Sequence, residues 1–397
     1  MNETSHLGDF FSNRQESGLA DLPVMSVTMN DSLVLRDDLD RRMESALTPD
    51  QHLLVKRGDI AYNMMRMWQG ACGLALADGV VSPAYVVLAP KPTIDSRFAF
   101  HWFKSARMIY LFWAYSHGLT EDRLRLYFDA FAEIPVSPPS IERQRSIASI
   151  LDSWDEAIDQ TEHLIGAKRL LHQNHISKLI PKNVDGKSNH WNMRELRELG
   201  RVANGGTPAS EEESYWNGNI PWITPSEVSQ LRSPQIASTE RNISALGLKN
   251  SSAELLPPGS LMVCTRATVG ASCINSVPMS TNQGFKSLVP KADAEIRYIY
   301  HAVNARKKEL IRLANGSTFL EVTKPDFEKF KIAVPSIEQQ KLIADALDFE
   351  AAEITHLEVK IEQLRVQKCG LMQKLLSGES PLDKRFEPQA AFVRTAP

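Results

Sequence analysis

A chain of 397 residues is longer than one hydrophobic core usually supports, so the length predicts two or more domains. Hydrophobic residues make up 43% of the chain, but no apolar run reaches the roughly eighteen residues of a membrane helix. The formal net charge of −3 excludes a globally basic protein, so a nucleic-acid surface would have to gather its cations on one face. The N-terminus does not resemble a signal peptide and the 4 cysteines form no CxxC pair, which favours a cytoplasmic protein with reduced thiols.

The first part of the chain alternates short apolar runs with turn residues, the pattern of a mainly antiparallel sheet. The runs are LPVMSVT, GDIAYNM, GACGLAL and AYVVLAP. The segment SRFAFHWFKSARMIYLFWA follows and predicts one helix over residues 96–114. We assign residues 1–138 to this first α+β module.

A polar, aromatic-rich turn lies between two of these runs, and it contains an arginine four residues before a Gly-Ala pair. Arg, Asn and Gln can make paired hydrogen bonds to base edges, and Arg or Lys can neutralise phosphates. The alternative for such an arginine is an ion pair that only holds the turn, and the sequence leaves both interpretations open. The candidate DNA-binding residues in this turn are Tyr62, Asn63, Arg66, Trp68 and Gln69.

The stretch PSIERQRSIASILD at 139–152 recurs as PSIEQQKLIADALD at 335–348, with 9 of 14 positions identical. The match extends in both directions, and Arg66 then faces Arg266 upstream of the two stretches. The shared part is alike in the two halves, whereas the upstream parts keep a skeleton and little sequence. This contrast predicts two related modules that perform the same task on different targets.

Each copy of the stretch begins a run of about forty residues with heptad spacing, which predicts long helices over 139–181 and 335–378. Ser140 and Ser336 are candidate N-caps. We expect the helices to pair as an intramolecular antiparallel coiled coil; ordinary amphipathic helices are the alternative. The apolar seam residues are Ile147, Leu151, Trp154, Ile158, Ile165, Ile343, Leu347, Ile354, Ile361, Leu364, Leu371 and Leu375, and a stripe of Leu164, Leu171, Ile176 and Ile180 could share the packing of the first copy, whose second half is polar.

Residues 182–334 form the predicted second module, which starts after a polar linker. The runs NIPWIT, SLMVCT, ASCINS and GFKSLVP predict strands, and FEKFKIAVP predicts the last one. The segment AEIRYIYHAVNARKKELIRLA predicts one helix over 294–314. The candidate DNA-binding residues of this module are Thr207, Arg266, Thr268, Thr281, Asn282 and Gln283.

The sequence offers no convincing catalytic or metal-binding motif. HExxH, GxSxG and a Gly-rich cofactor loop are absent, and the histidines lack metal-ligand spacing. The Gly-Lys-Ser at 186–188 has Pro181 where a phosphate-binding loop needs a glycine. We therefore expect no catalytic residue and no metal in this chain.

The segments NGGTP…YWNGNIPWIT, NGSTFLEVTKPDFEKFKIAVPSIEQQKLIA and LMQKLLSGE resemble the specificity subunit of bacterial type I restriction-modification enzymes. The resemblance covers nearly the whole chain, including its twofold repeat. The first module lacks the GGTP…YW…IPWI passage and has LPVMSVTMNDSLVLRDDLDRR instead, which indicates a different subclass of recognition domain.

The resemblance implies two target recognition domains, each reading one half of a split, asymmetric sequence in double-stranded DNA. The helices would form a spacer and dock two methyltransferase subunits, with restriction subunits joining for cleavage. The chain itself would be non-catalytic and bind no cofactor; S-adenosylmethionine, ATP and Mg would belong to the partners. Residues 379–397 would form a flexible tail. The alternatives are a structural adaptor whose modules bind proteins, and an enzyme on an unrecognised scaffold.

Overall fold

The structure is a computed structural model that describes residues 5–19, 21–29, 32–39, 48, 51–120, 123–184, 191–314 and 321–377. By its internal contacts the chain divides into two compact units. Unit 1 comprises Met1–Gln160 and Glu362–Pro397, and unit 2 comprises Thr161–Ile361. The predicted tail at 379–397 lies outside the described residues.

Unit 1 contains a four-stranded antiparallel sheet in the order β2-β9-β6-β7, with three small two-stranded pairs, β1-β10, β3-β4 and β5-β8. Its phenylalanine-rich core packs the helices on this sheet. The strands are β1 (Ser5–His6), β2 (Phe11–Asn13), β3 (Met25–Ser26), β4 (Val34–Leu35), β5 (Leu53–Val55), β6 (Ile60–Asn63), β7 (Cys72–Leu74), β8 (Gly79–Val81), β9 (Tyr85–Pro90) and β10 (Pro135–Val136). The helices are α1 (Leu7–Phe10), α2 (Ser96–Phe103), α3 (Ala106–Ala114), α4 (Phe128–Ala132) and the start of α5 (Ile141–Leu179).

Unit 2 contains a five-stranded sheet in the order β12-β19-β16-β17-β14, a three-stranded sheet β15-β13-β18 and the pair β11-β20. Its strands are β11 (Asn192–Glu195), β12 (Gly200–Asn204), β13 (Trp216–Ile223), β14 (Gln235–Ile236), β15 (Asn242–Ile243), β16 (Leu261–Cys264), β17 (Ser272–Asn275), β18 (Ser280–Thr281), β19 (Phe285–Pro290) and β20 (Lys331–Val334). Its helices are α6 (Leu196–Leu199), α7 (Pro225–Gln230), α8 (Ala245–Lys249), α9 (Ile296–Ala305), α10 (Lys307–Arg312), α11 (Lys324–Glu328) and the start of α12 (Ile337–Ser377).

The two units share one sheet plan. The order β2-β9-β6-β7 in unit 1 is the order β12-β19-β16-β17 in unit 2, and β1-β10 corresponds to β11-β20. The registers agree as well, because Ile60 pairs with Leu88 and Leu261 pairs with Leu288. The units differ in what surrounds these strands, since unit 1 has the small pairs β3-β4 and β5-β8, whereas unit 2 has β14 and the sheet β15-β13-β18. The repeat predicted from the sequence is therefore a repeat of the fold.

The prediction of one helix over 96–114 and one over 294–314 was wrong, because each segment forms two helices. The first breaks at Ser105, whose hydroxyl accepts a hydrogen bond from the Met108 N–H and caps the start of α3. A serine that can bond to the backbone in this way favours a helix start over a helix interior. The second breaks at Arg306, whose backbone leaves the helical region with φ −108° and ψ 18°.

The repeated stretch builds a buried corner between the last strand of the module and the long helix of unit 2. Gln340 is 1% exposed, and its side chain bonds to three backbone groups. Its Oε1 accepts from the Glu295 N–H at 2.9 Å, and its Nε2 donates to Pro335 O at 3.0 Å and to Asp293 O at 3.5 Å. The glutamine thus ties the start of α12 to the start of α9.

Unit 1 contains the same corner, made by the other copy of the stretch. Gln144 is also 1% exposed. Its Oε1 accepts from the Asp95 N–H at 2.8 Å, and its Nε2 donates to Pro139 O at 2.8 Å and to Thr93 O at 3.3 Å. The shared glutamine of the two stretches is therefore the residue that closes both corners.

Further shared residues complete each corner. The predicted N-caps are confirmed, since Ser140 and Ser336 each accept from a backbone N–H three residues on at 3.4 Å. The histidine that matches between the modules is buried in both units and bonds to the last residue of the repeated stretch. These contacts join His101 Nε2 to Asp152 at 2.8 Å and His301 Nε2 to Asp348 at 2.7 Å.

The two long helices, 39 and 41 residues long, pack antiparallel. In unit 2, Lys168 of α5 pairs with Glu353 of α12 at 2.7 Å, and His172 bonds to Glu350 at 2.8 Å. Residue numbers rise along one helix as they fall along the other, which defines the antiparallel direction. In unit 1, the seam residue Ile147 of α5 shares a core cluster with Leu375 near the end of α12.

The seam residues turn inward, as the heptad pattern predicts. The prediction that they also dock partners was wrong for the buried ones, because their side chains are covered within the described chain. The second half of α5 packs against α12 through polar contacts such as those of Lys168 and His172. Of the predicted stripe, Leu164 and Leu171 are 45% and 49% exposed, whereas Ile176 and Ile180 pack in the core of unit 2. Buried seam residues are Ile147, Leu151, Ile158, Ile165, Leu347, Ile354, Ile361 and Leu375, and half-buried ones are Trp154, Ile343, Leu364 and Leu371.

Candidate nucleic-acid interface

In unit 2, loops from distant parts of the sequence meet beside the ends of β12, β16 and β19. Gly206 N–H donates to Thr281 O at 2.8 Å, and the Thr207 hydroxyl donates to Gln283 Oε1. A Cβ on Gly205 would lie 1.6 Å from Asn282 O, so only glycine permits this approach. The Gly-Gly-Thr turn therefore lies directly on the Asn-Gln loop.

The exposed polar groups of this cluster come from Thr207, Asn282 and Gln283. Gln283 and Thr207 are exposed, while Asn282 is half-buried because its Oδ1 accepts from the Gly284 N–H at 2.9 Å. Thr281 is 2% exposed and forms part of β18. Its prediction as a DNA-binding residue was wrong, because the residue is buried within β18.

Arg266 follows β16, and its side chain both forms an ion pair that holds the turn and stays partly exposed for a DNA contact. Its Nη2 lies 2.5 Å from Glu321 Oε2, and the two residues also form a backbone bridge. The side chain is still 42% exposed, so the ion pair lies at the surface. The hydrogen bond from Arg266 lowers the pKa of Glu321 below its usual value, against the opposing effect of burial. Thr268 is exposed in the same turn.

Sequence reasoning missed two tryptophans and an arginine that support this cluster. The Arg241 guanidinium stacks 3.8 Å from the centre of the Trp216 ring and 5.4 Å from that of Trp222. Trp222 Nε1 donates to Gly206 O at 2.9 Å, and Trp216 Nε1 donates to Ala209 O at 3.0 Å. The YW…IPW motif was the available signal, and its tryptophans hold the loop that carries Thr207.

In unit 1, the predicted residues lie in the hairpin turn between β6 and β7. Asn63 Oδ1 accepts from the Met65 N–H at 3.0 Å, and Trp68 Nε1 donates to Met65 O at 3.0 Å. These two side chains are half-buried and shape the turn. Arg66 and Gln69 are exposed on it. The turn thus presents an arginine and an amide to solvent on a rigid base.

Tyr62 does not belong to this surface, and its prediction as a DNA-binding residue was wrong. The side chain is 0% exposed, and its ring centre lies 5.6 Å from that of Phe131 in the core of unit 1. Burial raises the pKa of the Tyr62 hydroxyl, which has no hydrogen-bond partner among the described residues. The residue contributes to packing.

Neither unit supplies other recognisable chemistry within the described residues. Across residues 5–377, as far as they are described, no set of three His, Cys, Asp or Glu side chains could hold a metal ion. Over the same part of the chain, none of the helices combines the length and apolarity that a bilayer crossing requires.

Residues 188–364 match the family described as "Type I restriction modification DNA specificity domain". The type I restriction enzyme MjaIX specificity subunit of Methanocaldococcus jannaschii is 33% identical over 161 residues, which cover 40% of this chain and 37% of that protein. The EcoR124I/EcoR124II specificity subunit of Escherichia coli is 27% identical over 228 residues, covering 54% of this chain and 55% of that one. The chain thus matches less than two thirds of the length of these relatives.

Two solved structures resemble nearly the whole chain. The type I restriction-modification S subunit from M. genitalium has a TM-score of 0.57 at 14% identity, covering 96% of this chain and 98% of that one. The HsdS subunit from Thermoanaerobacter tengcongensis has a TM-score of 0.50 at 16% identity, covering 94% and 96%. This likeness confirms the predicted fold class, which consists of two mainly antiparallel α+β modules and two long antiparallel helices.

Proposed function

Because residues 188–364 match the type I restriction modification DNA specificity domain and part of the chain resembles type I specificity subunits, we propose that the chain is the DNA sequence-recognition subunit of a type I restriction-modification complex. Each module reads one half of a split target in double-stranded DNA. The observation that carries this proposal is the repeated fold itself, in which the same order of four strands and the same corner carry different exposed loops.

The two loop clusters support DNA reading by their chemistry. Each cluster places an arginine in the turn after the equivalent strand, Arg66 after β6 and Arg266 after β16, beside exposed amide side chains. These are the groups that make paired hydrogen bonds to base edges in the major groove. The amides are Gln69 in unit 1 and Gln283 in unit 2, and both belong to turns fixed by internal hydrogen bonds.

The chain acts without catalysis in this proposal. The proteins that it resembles are named specificity subunits, and their chemistry would reside in partner subunits. Adenine methylation with S-adenosylmethionine, and cleavage driven by ATP and Mg, are therefore assigned to methyltransferase and restriction subunits. The chain itself binds no cofactor.

The outer face of the long helices supports docking of the methyltransferase subunits. Leu342 and Phe349 of α12 are 69% and 71% exposed, although both are large and apolar. A groove of about 810 Å³ also lies against α12, lined in part by Thr355 and Val359 of α12 and by Tyr300 of α9. Large apolar residues exposed on a protein surface are typical of protein interaction sites. The buried seam fixes the spacer between the half-sites, and this outer face receives the partner.

The proposal is tested by expressing the chain with an adenine methyltransferase subunit of its own operon and mapping methylated adenines across the host genome. The expected result is methylation at a single split motif with a constant gap. Arg66→Ala should relax the preference in one half-site only and Arg266→Ala in the other, each by about 1–3 kcal/mol. Methylation without sequence preference would refute the proposal, and binding of other proteins with no DNA binding would favour the adaptor alternative.

A further inference from the structure

The two modules place opposite charges at one equivalent position beside the reading arginine. In unit 2 this position is Glu321, which precedes the buried Val322 by one residue. In unit 1 it is Arg125, which precedes the buried Leu126 by one residue. The helices α4 and α11 begin two residues after Leu126 and Val322, so the positions coincide in the fold.

The backbone brings this position to the reading turn in both units. Val322 N–H donates to Thr265 O at 3.0 Å, and Leu126 N–H donates to Met64 O at 2.9 Å. Thr265 lies one residue before Arg266, and Met64 lies two residues before Arg66. The side chain at this position therefore adds its charge to the same surface as the arginine.

In unit 2 the carboxylate binds two cations. Arg266 lies 2.5 Å from one oxygen of Glu321, and the nearly buried Lys286 lies 3.4 Å from the other. Two positive charges are thus reduced to one, and the guanidinium is held in one direction. The next residue, Ala267, has a φ of 62°, in the left-handed region that residues other than glycine seldom adopt.

In unit 1 no such carboxylate exists among the described residues. Arg66 and Arg125 are both exposed, and neither makes an ion pair with any residue that the structure describes. The lysine that Glu321 partly neutralises has Val86 in its place. The turn of unit 1 therefore offers two cations where the turn of unit 2 offers a single oriented one.

We propose that the position occupied by Arg125 and Glu321 determines how each module divides its binding between phosphates and bases. This inference rests on the proposed function. Glu321 is a positioning residue that holds Arg266 towards base edges and withholds it from phosphates. Arg125 adds a phosphate contact in unit 1, which strengthens binding to any sequence. Unit 2 thereby contributes more discrimination, and unit 1 more of the salt-dependent affinity.

The test measures binding of the full chain with its methyltransferase subunits to two DNA duplexes between 50 and 200 mM salt. One duplex contains the target, and the other has the half-site read by unit 2 scrambled. Affinity falls as salt rises, and each phosphate contact steepens the fall of log affinity with log salt by about 0.9, or about a 3.5-fold affinity change over this range. Glu321→Gln should steepen this salt dependence by about the same 0.9. It should also lower the affinity ratio between the two duplexes about threefold or more.

Two further variants separate the effect of this position from that of a general change in charge. Arg125→Gln, at an exposed site, should make the salt dependence shallower by about the same 0.9 and weaken binding to both duplexes equally. Glu362→Gln makes the same charge change as Glu321→Gln, but in an exposed pair with Arg365 on α12, and should leave slope and discrimination unchanged.

The inference is overturned if Glu321→Gln behaves like Glu362→Gln, or if Arg125→Gln leaves the slope unchanged. It is also overturned if Glu321→Gln lowers the unfolding temperature and weakens binding to both duplexes equally, since Glu321 would then only hold the turn. If the unmodified complex fails to distinguish the duplexes, the proposed function itself falls.

Discussion

Replacing Gln340 by methionine tests whether the repeated stretch is retained for its buried corner. Methionine has a similar length and a similar helix propensity, so the change removes hydrogen bonds with little change in volume. It leaves the Glu295 N–H and the Pro335 carbonyl without the partners that they have at 2.9 and 3.0 Å. The third bond, at 3.5 Å, is at the limit of a hydrogen bond and adds little.

The expected cost follows from the two well-made bonds. A buried polar group that loses its partner costs about 1–3 kcal/mol. Gln340→Met should therefore lower the free energy of unfolding by about 2–6 kcal/mol, a large part of the total stability of a typical domain. Guanidinium unfolding measures this loss, and hydrogen exchange at the Glu295 amide reports it locally, because that amide becomes unprotected.

Matched variants define what would refute this reasoning. Gln144→Met should cost a similar amount, since Gln144 makes the same bonds in unit 1. Gln339→Met changes the neighbouring, exposed glutamine and should stay within about 0.5 kcal/mol. If Gln340→Met is as mild as Gln339→Met, or if exchange at Glu295 does not change, the corner is not what fixes the helix to the module.

Two further predictions concern the long helices. Burial would raise the pKa of Asp348, but His301 and Arg297 outweigh it and lower the pKa, so its stabilisation is present above the ordinary carboxyl pKa and is lost as pH falls below about 4. Guanidinium unfolding from pH 7 to 3 should show this acid loss, and a profile unchanged in Asp348→Asn would contradict it. Leu347→Ala should lower the free energy of unfolding by about 2–5 kcal/mol, because the side chain is 0% exposed. Phe349→Ala, on the exposed face of α12, should leave the free energy of unfolding unchanged and weaken methyltransferase binding in a titration. The reverse pattern would contradict the assignment of the buried and exposed faces.

The sequence predicted the seam and the starts of the long helices because both depend on local patterns. Heptad spacing of apolar residues specifies which face of a helix is buried, whatever it packs against. Residues such as Leu347 and Ile354 are accordingly buried. The N-cap serines follow from the same local logic, since a hydroxyl three residues before a free N–H can bond to it in any helix.

The sequence failed where burial or pairing depends on distant residues. Alternation could not identify Tyr62 as buried, because Ile60, Ala61 and Tyr62 are all buried in a strand covered on both faces. The stack of Arg241 on Trp216 depends on the pairing of β13 with β15. The ion pair of Arg266 likewise joins residues 55 positions apart, so the local sequence contained no sign of it.

The distribution of burial explains which parts of the chain repeat and which diverge. A change at a corner glutamine leaves buried backbone groups unpaired, so sequence freedom there is small. A change at Gln283 or Gln69 alters an exposed side chain whose loss costs little stability. Two copies of one module can therefore acquire different loops while they keep the same attachment to their helices. Under the proposed function, a new DNA target would be read by new loops on the same buried frame.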